Sequence, residues 1–193
     1  MQIVKYPHPA LAHKSRPLLK VDPELKKIVD QMFELMYKDR GVGLAANQIA
    51  LPYRLVTLNL KADPDAKDEE HVFINPIISN RSGMGEAEEG CLSVPDVYAA
   101  VRRSEKVKVT AYNLSGEQLV LELTGLYARV IQHEVDHLDG VLFIDRLMTD
   151  KKLEIKPTLN EHIRRFEEDQ KRDVIPSNEE MVTQMEAFER LRT

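Results

Sequence analysis

The sequence predicts an α+β fold in which short, mostly antiparallel strands surround one central helix. Strand-forming stretches at 53–60, 71–78 and 97–125 are separated by turns and loops, as in antiparallel sheets. Apolar residues recur at helical spacing over 23–38 and 126–138. We therefore expect a helix at 126–138 among the strands and a second helix at 23–38 on their flank.

The composition is typical of one soluble globular domain with an appendage. Of the 193 residues, 42% are hydrophobic and 31% are charged, which separates the chain from disordered proteins. The net charge of −5 gives no reason to expect a nucleic-acid or anionic-membrane surface. No apolar run approaches the roughly 18 residues of a membrane span. A single cysteine and the lack of a secretory signal in MQIVKYPHPAL indicate a cytoplasmic protein.

The first forty residues predict an extended segment followed by a helix. Three prolines favour extended backbone on the surface over residues 1–20. Asp22 is a suitable N-cap, and Pro23 suits the first helical position, where a missing N–H does no harm. The helix is expected to end before Gly41.

The middle of the chain predicts strands separated by polar connections. The stretch GVGLAANQI at 41–49 holds two glycines, which indicate a bend or a close approach of the backbone. The polar stretch 61–70 predicts an exposed loop, and 79–90, rich in Gly, Ser and Glu, predicts turns. A hairpin turn at Asn113–Gly116 joins two strands within 97–125.

The central helix and the charged tail follow. The helix at 126–138 carries an apolar stripe and is expected to end near Gly140, which suits the C′ position. Residues 1–150 predict one catalytic domain. The segment 151–193 is predicted to be a charged helical extension and no independent domain, with its first helix over 157–172.

A second tail helix is predicted after Pro176. Ser177 and Glu180 form a capping box at its start. Its apolar stripe is expected to pack on its own domain or on a subunit partner, and consists of Met181, Met185, Phe188 and Leu191.

The motif HEVDH at 133–137 lies within the predicted central helix. His133 and His137 are four residues apart, so their imidazoles project from one face and can share a metal ion. Glu134 lies one step round the helix, close enough to act on water at that metal. The alternative is an exposed helical face with two incidental histidines.

Two histidines do not complete a catalytic metal site, because such sites use three protein ligands and leave one position for water. No H-x-x-G-x-x-H continuation follows, which argues against a metzincin-type site. The candidates for the third ligand are Glu154, Glu161 and Cys91. Cys91 follows Gly90 at the end of a turn-rich stretch, where a side chain can be aimed.

Three motifs together resemble the signatures of the peptide deformylase family. The stretches GVGLAANQI (41–49), EGCLSVP (89–95) and QHEVDHLDG (132–140) are similar to the family's motifs in order and spacing. The opening VKYPHPAL is also similar, and the resemblance covers residues 1–148. The stretch Asp96–Tyr98 departs from the pattern of many members.

The resemblance implies one divalent metal ion held by Cys91, His133 and His137. Fe(II) is the expected native metal, and Zn, Ni or Co are alternatives in a purified sample, since all suit a thiolate with two imidazoles.

The resemblance also assigns the catalytic groups. Glu134 would be the general base for attack by a metal-bound water. The Gln48 side-chain amide and the Leu92 backbone N–H would hold the oxyanion.

The implied substrate is the N-formyl-methionyl end of a newly synthesised polypeptide, from which formate is released. Val42, Gly43 and Gly90 would contact the substrate backbone as an added strand, and Leu126 and Val130 would line the methionine pocket. A transient ribosome contact is a further expectation, without direct reading of nucleic acid and without a membrane partner.

Two other functions stay open at this point. One is a generic HExxH metallopeptidase that uses a downstream glutamate as its third ligand. The other is a metal-stabilised binding module without catalysis, in which Glu134 would be dispensable.

Overall fold

Two antiparallel sheets and four α-helices make up the structure, a computed structural model that describes residues 1–193. The helices are α1 (Pro23–Lys38), α2 (Gly125–Leu138), α3 (Thr149–Lys171) and α4 (Asn178–Arg192). The strands are β1 (Gly43–Ala45), β2 (Leu55–Leu58), β3 (His71–Ser82), β4 (Gly85–Cys91), β5 (Val94–Arg103), β6 (Lys106–Tyr112) and β7 (Gln118–Thr124).

The larger sheet has five strands in the order β1-β2-β3-β6-β7, and β4 and β5 form a separate two-stranded hairpin. All of the strand pairings are antiparallel. The predicted α+β class is therefore confirmed, as are the turn that joins β6 to β7 and the helices expected at 23–38 and 126–138.

Alternation along the strands places α1 and α2 on opposite faces of the larger sheet. Leu55 and Ile74 pack in one core cluster with α1, while their neighbours Val56 and Phe73 pack in another with α2. The β4–β5 hairpin is tied to α2 by Arg129, whose Nη1 donates to the Val101 carbonyl at 2.9 Å. Helix α2 is thus held between the sheet and the hairpin.

The start of α1 and the end of α2 match the sequence patterns. The Asp22 carboxylate accepts a hydrogen bond from Leu25 N at 2.9 Å, as an N-cap does. Gly140 follows α2 with φ +73°, and a Cβ there would lie 2.5 Å from the Ala12 carbonyl oxygen. Only glycine combines this conformation with this close approach.

The prediction of turns over 79–90 was wrong. Strand β3 continues to Ser82, and β4 occupies Gly85–Cys91. Most of β4 is exposed on both faces, so its sequence lacks apolar alternation. It is a strand because it pairs with β5, where alternate residues are buried.

The first part of the chain and the second strand also differ from expectation. Residues 1–20 were expected on the surface, but Ile3, Leu11 and Leu18 are buried and Pro9–Leu11 forms a short 3-10 helix. The strand expected at 53–60 is shorter, as given above for β2. None of the four helices combines the length and apolar character needed to cross a membrane.

The two helices of the tail differ from their predictions. Helix α3 begins at Thr149 and contains Pro157, although proline was expected to mark its start. No residue of α3 is fully buried, so water can satisfy the carbonyl that proline leaves without a partner. In α4, Met181 and Met185 are buried, but Phe188 and Leu191 are 40% and 69% exposed.

Candidate active site

Helix α2 and the end of β4 bring two imidazoles and one thiol to a single point. His133 Nε2 lies 3.2 Å from His137 Nε2, and His137 Nε2 lies 3.2 Å from Cys91 Sγ. The three ligand atoms all lie within 4.8 Å of one another. The structure therefore brings Cys91 to the two histidines.

The other candidates for a third ligand lie elsewhere. Glu154 and Glu161 are on α3, where they pair with Lys151 and with Arg164 in exposed ion pairs. The structure thus does not support a generic metallopeptidase site with a downstream glutamate ligand.

The donor set fits one divalent metal ion. Two imidazole nitrogens facing each other at 3.2 Å repel through their lone pairs unless a proton or a cation lies between them. One thiolate and two imidazoles are typical ligands of zinc and related first-row metals. The Nδ1 atom of His133 contacts the Glu89 carboxylate at 3.0 Å. This contact fixes the ring and leaves Nε2 as the nitrogen available to a metal ion.

Glu134 lies beside the cluster with its carboxylate out of solvent. It is only 4% exposed, and its Oε2 atom has no hydrogen-bond partner. Burial raises the pKa of the Glu134 carboxyl to about 7. A Cβ at Gly43 would lie 2.6 Å from Glu134 Oε1, so the absence of a side chain in β1 makes room for this carboxylate.

Gln48 is buried and its amide orientation is fixed. Its Oε1 atom accepts a hydrogen bond from Ala45 N at 2.8 Å. Its Nε2 atom donates to Ser93 Oγ at 3.2 Å and lies 3.6 Å from Cys91 Sγ. The N–H groups of Gln48 therefore face the candidate metal site.

A cleft of about 530 Å³ opens onto this cluster. His137 lies behind it and is fully buried. Leu126, which is 57% exposed, lies on the cleft wall near the buried Val130. The other predicted site residues that line the cleft are Val42, Gly43, Gln48, Gly90, Cys91, Leu92, His133 and Glu134.

Glu89 orients the ring of His133 through the contact between its carboxylate and Nδ1 of that histidine. Its carboxylate also accepts hydrogen bonds from Arg103 at 2.6 and 2.8 Å and from Arg129 at 2.7 Å. Burial favours the neutral carboxyl, but the bonds from His133 and Arg103 outweigh it and lower the pKa of Glu89 to about 2. Glu89 is therefore a buried anion that holds His133 in place.

Asp136 extends this network. Its side chain is buried, with Asp136 only 6% exposed. Arg103 Nη1 donates to it at 2.7 Å, and Arg146 binds both of its oxygens. The network thus reaches from His133 to the segment that precedes α3.

Sequence reasoning missed Arg103 and Tyr98. Arg103 has the same strand parity as the buried Val97 and Val101, and a charged residue at a buried position is a signal for a paired ion. Tyr98 is an exposed aromatic residue that lines the cleft. Its ring lies 2.6 Å from the position that a Cβ at Gly90 would occupy, and the sequence pattern does not predict this contact.

Two imidazoles and a thiol around one point, with a buried carboxylate at the floor of an open cleft, define the class of HExxH-type hydrolases. Comparison with known proteins narrows this class. The family model of polypeptide deformylase matches residues 1–153, and the chain belongs to that family. It is therefore an enzyme of the family that removes formyl groups from N-terminal formyl-methionine.

Named relatives agree with the family model. The chain is 46% identical over 147 residues to the peptide deformylase of Rhodopirellula baltica, which covers 76% of this chain and 73% of that protein. It is 45% identical over 159 residues to the peptide deformylase of Neisseria gonorrhoeae, with 82% and 93% covered.

Solved structures show the same fold. Peptide deformylase 1B of Arabidopsis thaliana superposes with a TM-score of 0.84 at 38% identity, covering 92% of this chain and 96% of that one. The Plasmodium falciparum enzyme gives 0.83 at 37% identity, with 86% and 97% covered.

Proposed function

We propose that this chain removes the formyl group from the N-terminal formyl-methionine of newly synthesised polypeptides and releases formate by metal-dependent hydrolysis. The observation that carries this proposal is the convergence of Cys91, His133 and His137 on one point, beside the Glu134 carboxylate at the floor of the cleft. Membership of the polypeptide deformylase family supplies the substrate class.

Cys91, His133 and His137 would hold one divalent metal ion, with Fe(II) as the native metal and Zn, Ni or Co as substitutes. When bound, such an ion acts as a Lewis acid and lowers the pKa of water. Glu89 keeps the His133 ring in the orientation that leaves Nε2 free.

Glu134 would act as the general base. It accepts a proton from the attacking water as the water oxygen bonds to the formyl carbon. It then passes that proton to the amide nitrogen as the C–N bond breaks, so that formate and a free α-amine leave. Its burial and raised pKa support a role in both accepting and releasing a proton near neutral pH.

Gln48 and Leu92 would stabilise the negative charge on the formyl oxygen. The Gln48 amide is already turned toward Cys91 by its bonds to Ala45 and Ser93, so little rearrangement is required. The Leu92 backbone N–H would be the second donor, from the loop between β4 and β5.

The cleft walls would bind the substrate. Val42, Gly43 and Gly90 lie on the cleft lining, where an extended peptide can pair with backbone groups. Leu126 and Val130 would contact the methionine side chain. Since formylated substrates are nascent chains, we place the enzyme in the cytoplasm with a transient ribosome contact.

The deciding experiment measures formate released from formyl-Met-Ala-Ser by protein prepared anaerobically with Fe(II). We expect turnover well above a blank that contains metal alone. Absence of formate above that blank would contradict the proposed function.

A Cys91→Ser variant tests the ligand set in the same assay. Replacing the thiolate by a hydroxyl should sharply weaken metal binding, because serine is a far poorer ligand for these metals. Unchanged metal content and activity would show that Cys91 is not a ligand.

A further inference from the structure

A second cavity, of about 310 Å³, lies beside α2 on the face that carries Gln132. No aspartate or glutamate is among its lining residues, although the whole chain has a net charge of −5. Four of the lining residues are arginines, namely Arg81, Arg102, Arg103 and Arg146. Such a concentration of guanidinium groups creates a positive potential within the cavity.

Two of the four arginines already form ion pairs in the network described above. Arg103 and Arg146 share Asp136, and Arg103 also binds Glu89. Arg81 and Arg102 form no ion pair. The cavity therefore keeps two uncompensated positive charges at its wall.

Two acidic side chains lie nearby. Glu86 is opposite Arg102 in the β4–β5 register, and Glu105 lies against Gly83 and Gly85. Neither makes an ion pair with the arginines of the cavity, and neither lines it. They reduce the positive potential without filling the site.

Arg81 is held in position by a buried partner. Its Nη1 atom donates to Gln132 Oε1 at 2.9 Å. Gln132 is 2% exposed and is itself fixed by bonds from its Nε2 atom to the carbonyls of Ser104 at 2.8 Å and Ala128 at 2.7 Å. The other N–H groups of Arg81 make no bond to the protein, so they are available to a ligand.

We propose that this cavity binds a phosphate group, from free phosphate or from the backbone of RNA. Guanidinium groups that converge from separate elements suit a tetrahedral anion with several oxygens better than a planar carboxylate. Contacts to phosphate position a nucleic acid without reading its bases, so an RNA ligand would be bound irrespective of sequence.

The test titrates inorganic phosphate into the full-length protein at constant ionic strength and follows the arginine Nε–Hε signals by NMR. We expect saturable shifts, and an affinity weakened about tenfold or more in Arg81→Gln, because charge-assisted hydrogen bonds are lost. Arg172→Gln, at an exposed arginine of the tail that forms no ion pair, is the matched control and should bind phosphate like the unmodified chain. Equal affinity in Arg81→Gln and the unmodified chain would overturn the proposal.

Phosphate that enters the candidate metal site would bind equally to Arg81→Gln and to the unmodified chain. The difference in phosphate affinity between these two proteins therefore reports binding in the cavity alone. Arg81→Lys, which keeps the charge, should bind phosphate more tightly than Arg81→Gln. Arg102→Gln provides a second substitution. The Arg102 side chain forms no hydrogen bond to the protein, so this change removes only the positive charge, and it should also weaken phosphate binding. Unchanged binding in both glutamine variants would again exclude the site.

A short oligouridylate distinguishes the two sources of phosphate. If Arg81→Gln weakens oligouridylate binding and flattens its salt dependence, RNA backbone is the ligand. If oligouridylate binding is unaffected while phosphate binding weakens, free phosphate is the ligand. If neither probe binds the unmodified chain, the proposal is wrong.

Discussion

At the residue scale, a substitution of Glu134 distinguishes a role in catalysis from a role in metal binding. Glu134→Gln keeps the size of the side chain but removes the base, so we expect a loss of about 10²-fold or more in turnover with metal content unchanged. Formate release and metal analysis of the same preparation measure both. Glu34→Gln, at an exposed glutamate of α1, should leave both unchanged. Near-normal turnover in Glu134→Gln would instead favour a binding module.

Gly43 is the other residue on which Glu134 depends. A methyl group at this position would lie 2.6 Å from Glu134 Oε1, so Gly43→Ala should displace the carboxylate. We expect lower kcat with normal metal content. In a Glu134→Gln background the same substitution should cost little further activity, because the two changes affect one interaction. Fully additive losses in the double variant would show that Gly43 acts independently of Glu134.

The sequence predicted the residues that carry local patterns and missed those whose roles depend on distant partners. His133 and His137 could be paired from helical spacing alone, and Cys91 required the family resemblance. The roles of Arg103 and Asp136 depend on contacts between β5, α2 and the segment after α2. No local periodicity encodes such contacts, although strand parity marks Arg103 as buried.

At the element scale, His8 couples pH to the packing of α3. Its Nδ1 accepts a hydrogen bond from Ala10 N at 3.1 Å, and its ring lies edge-on to Phe166 with centroids 6.3 Å apart. Burial lowers the pKa of His8 from 6.5 to about 4. The neutral ring is therefore the form that the fold stabilises.

The lowered pKa of His8 means that the folded state loses stability as the pH falls. Unfolded His8 takes up a proton near pH 6.5 and folded His8 only near pH 4, so its contribution is complete above pH 6.5. That contribution is lost as the pH falls from 6.5 toward 4. His8→Asn keeps a capping acceptor but does not titrate, so urea unfolding at pH 7 and pH 5 should show a smaller loss of stability in the variant. An identical loss in both proteins would contradict this assignment.

Helices and strands whose apolar residues recur at a regular spacing were predicted correctly. A strand such as β4, which pairs with a neighbour but lacks apolar alternation, was not. Helix α2 was expected within one residue of its observed start, because its apolar stripe faces a continuous core. Strand β4 was missed because its partner strand, not its own side chains, determines its conformation. Helix α3 was placed too late because proline is tolerated on its exposed surface.

At the scale of the whole molecule, α4 is joined to the opposite end of the chain. Arg192 binds the carboxylates of Asp22 and Glu24 at 2.9 and 2.6 Å, and Tyr53 Oη donates to the Phe188 carbonyl at 3.0 Å. These contacts support our proposal that 151–193 is an extension of one domain and no independent unit.

Met185 tests that proposal through stability. It is 2% exposed, so Met185→Ala should lower the free energy of unfolding by about 2–5 kcal/mol if α4 belongs to the common core. Val182→Ala, at a position of the same helix that is 38% exposed, should change it by about 0.5 kcal/mol or less. Urea unfolding measures both. Equal, small effects would mean that α4 is a separate appendage.

The bond between Arg192 and Asp22 also has a consequence for the order of folding. The strand pairing with the longest sequence separation joins Ile74 to Tyr112, whereas this contact closes a longer loop, between residues 22 and 192, and carries a larger entropic cost of closure. Contacts of such long sequence separation tend to form late. We therefore expect Arg192→Ala to accelerate unfolding while leaving the folding rate nearly unchanged, so that α4 determines how long the folded enzyme lasts rather than how fast it forms.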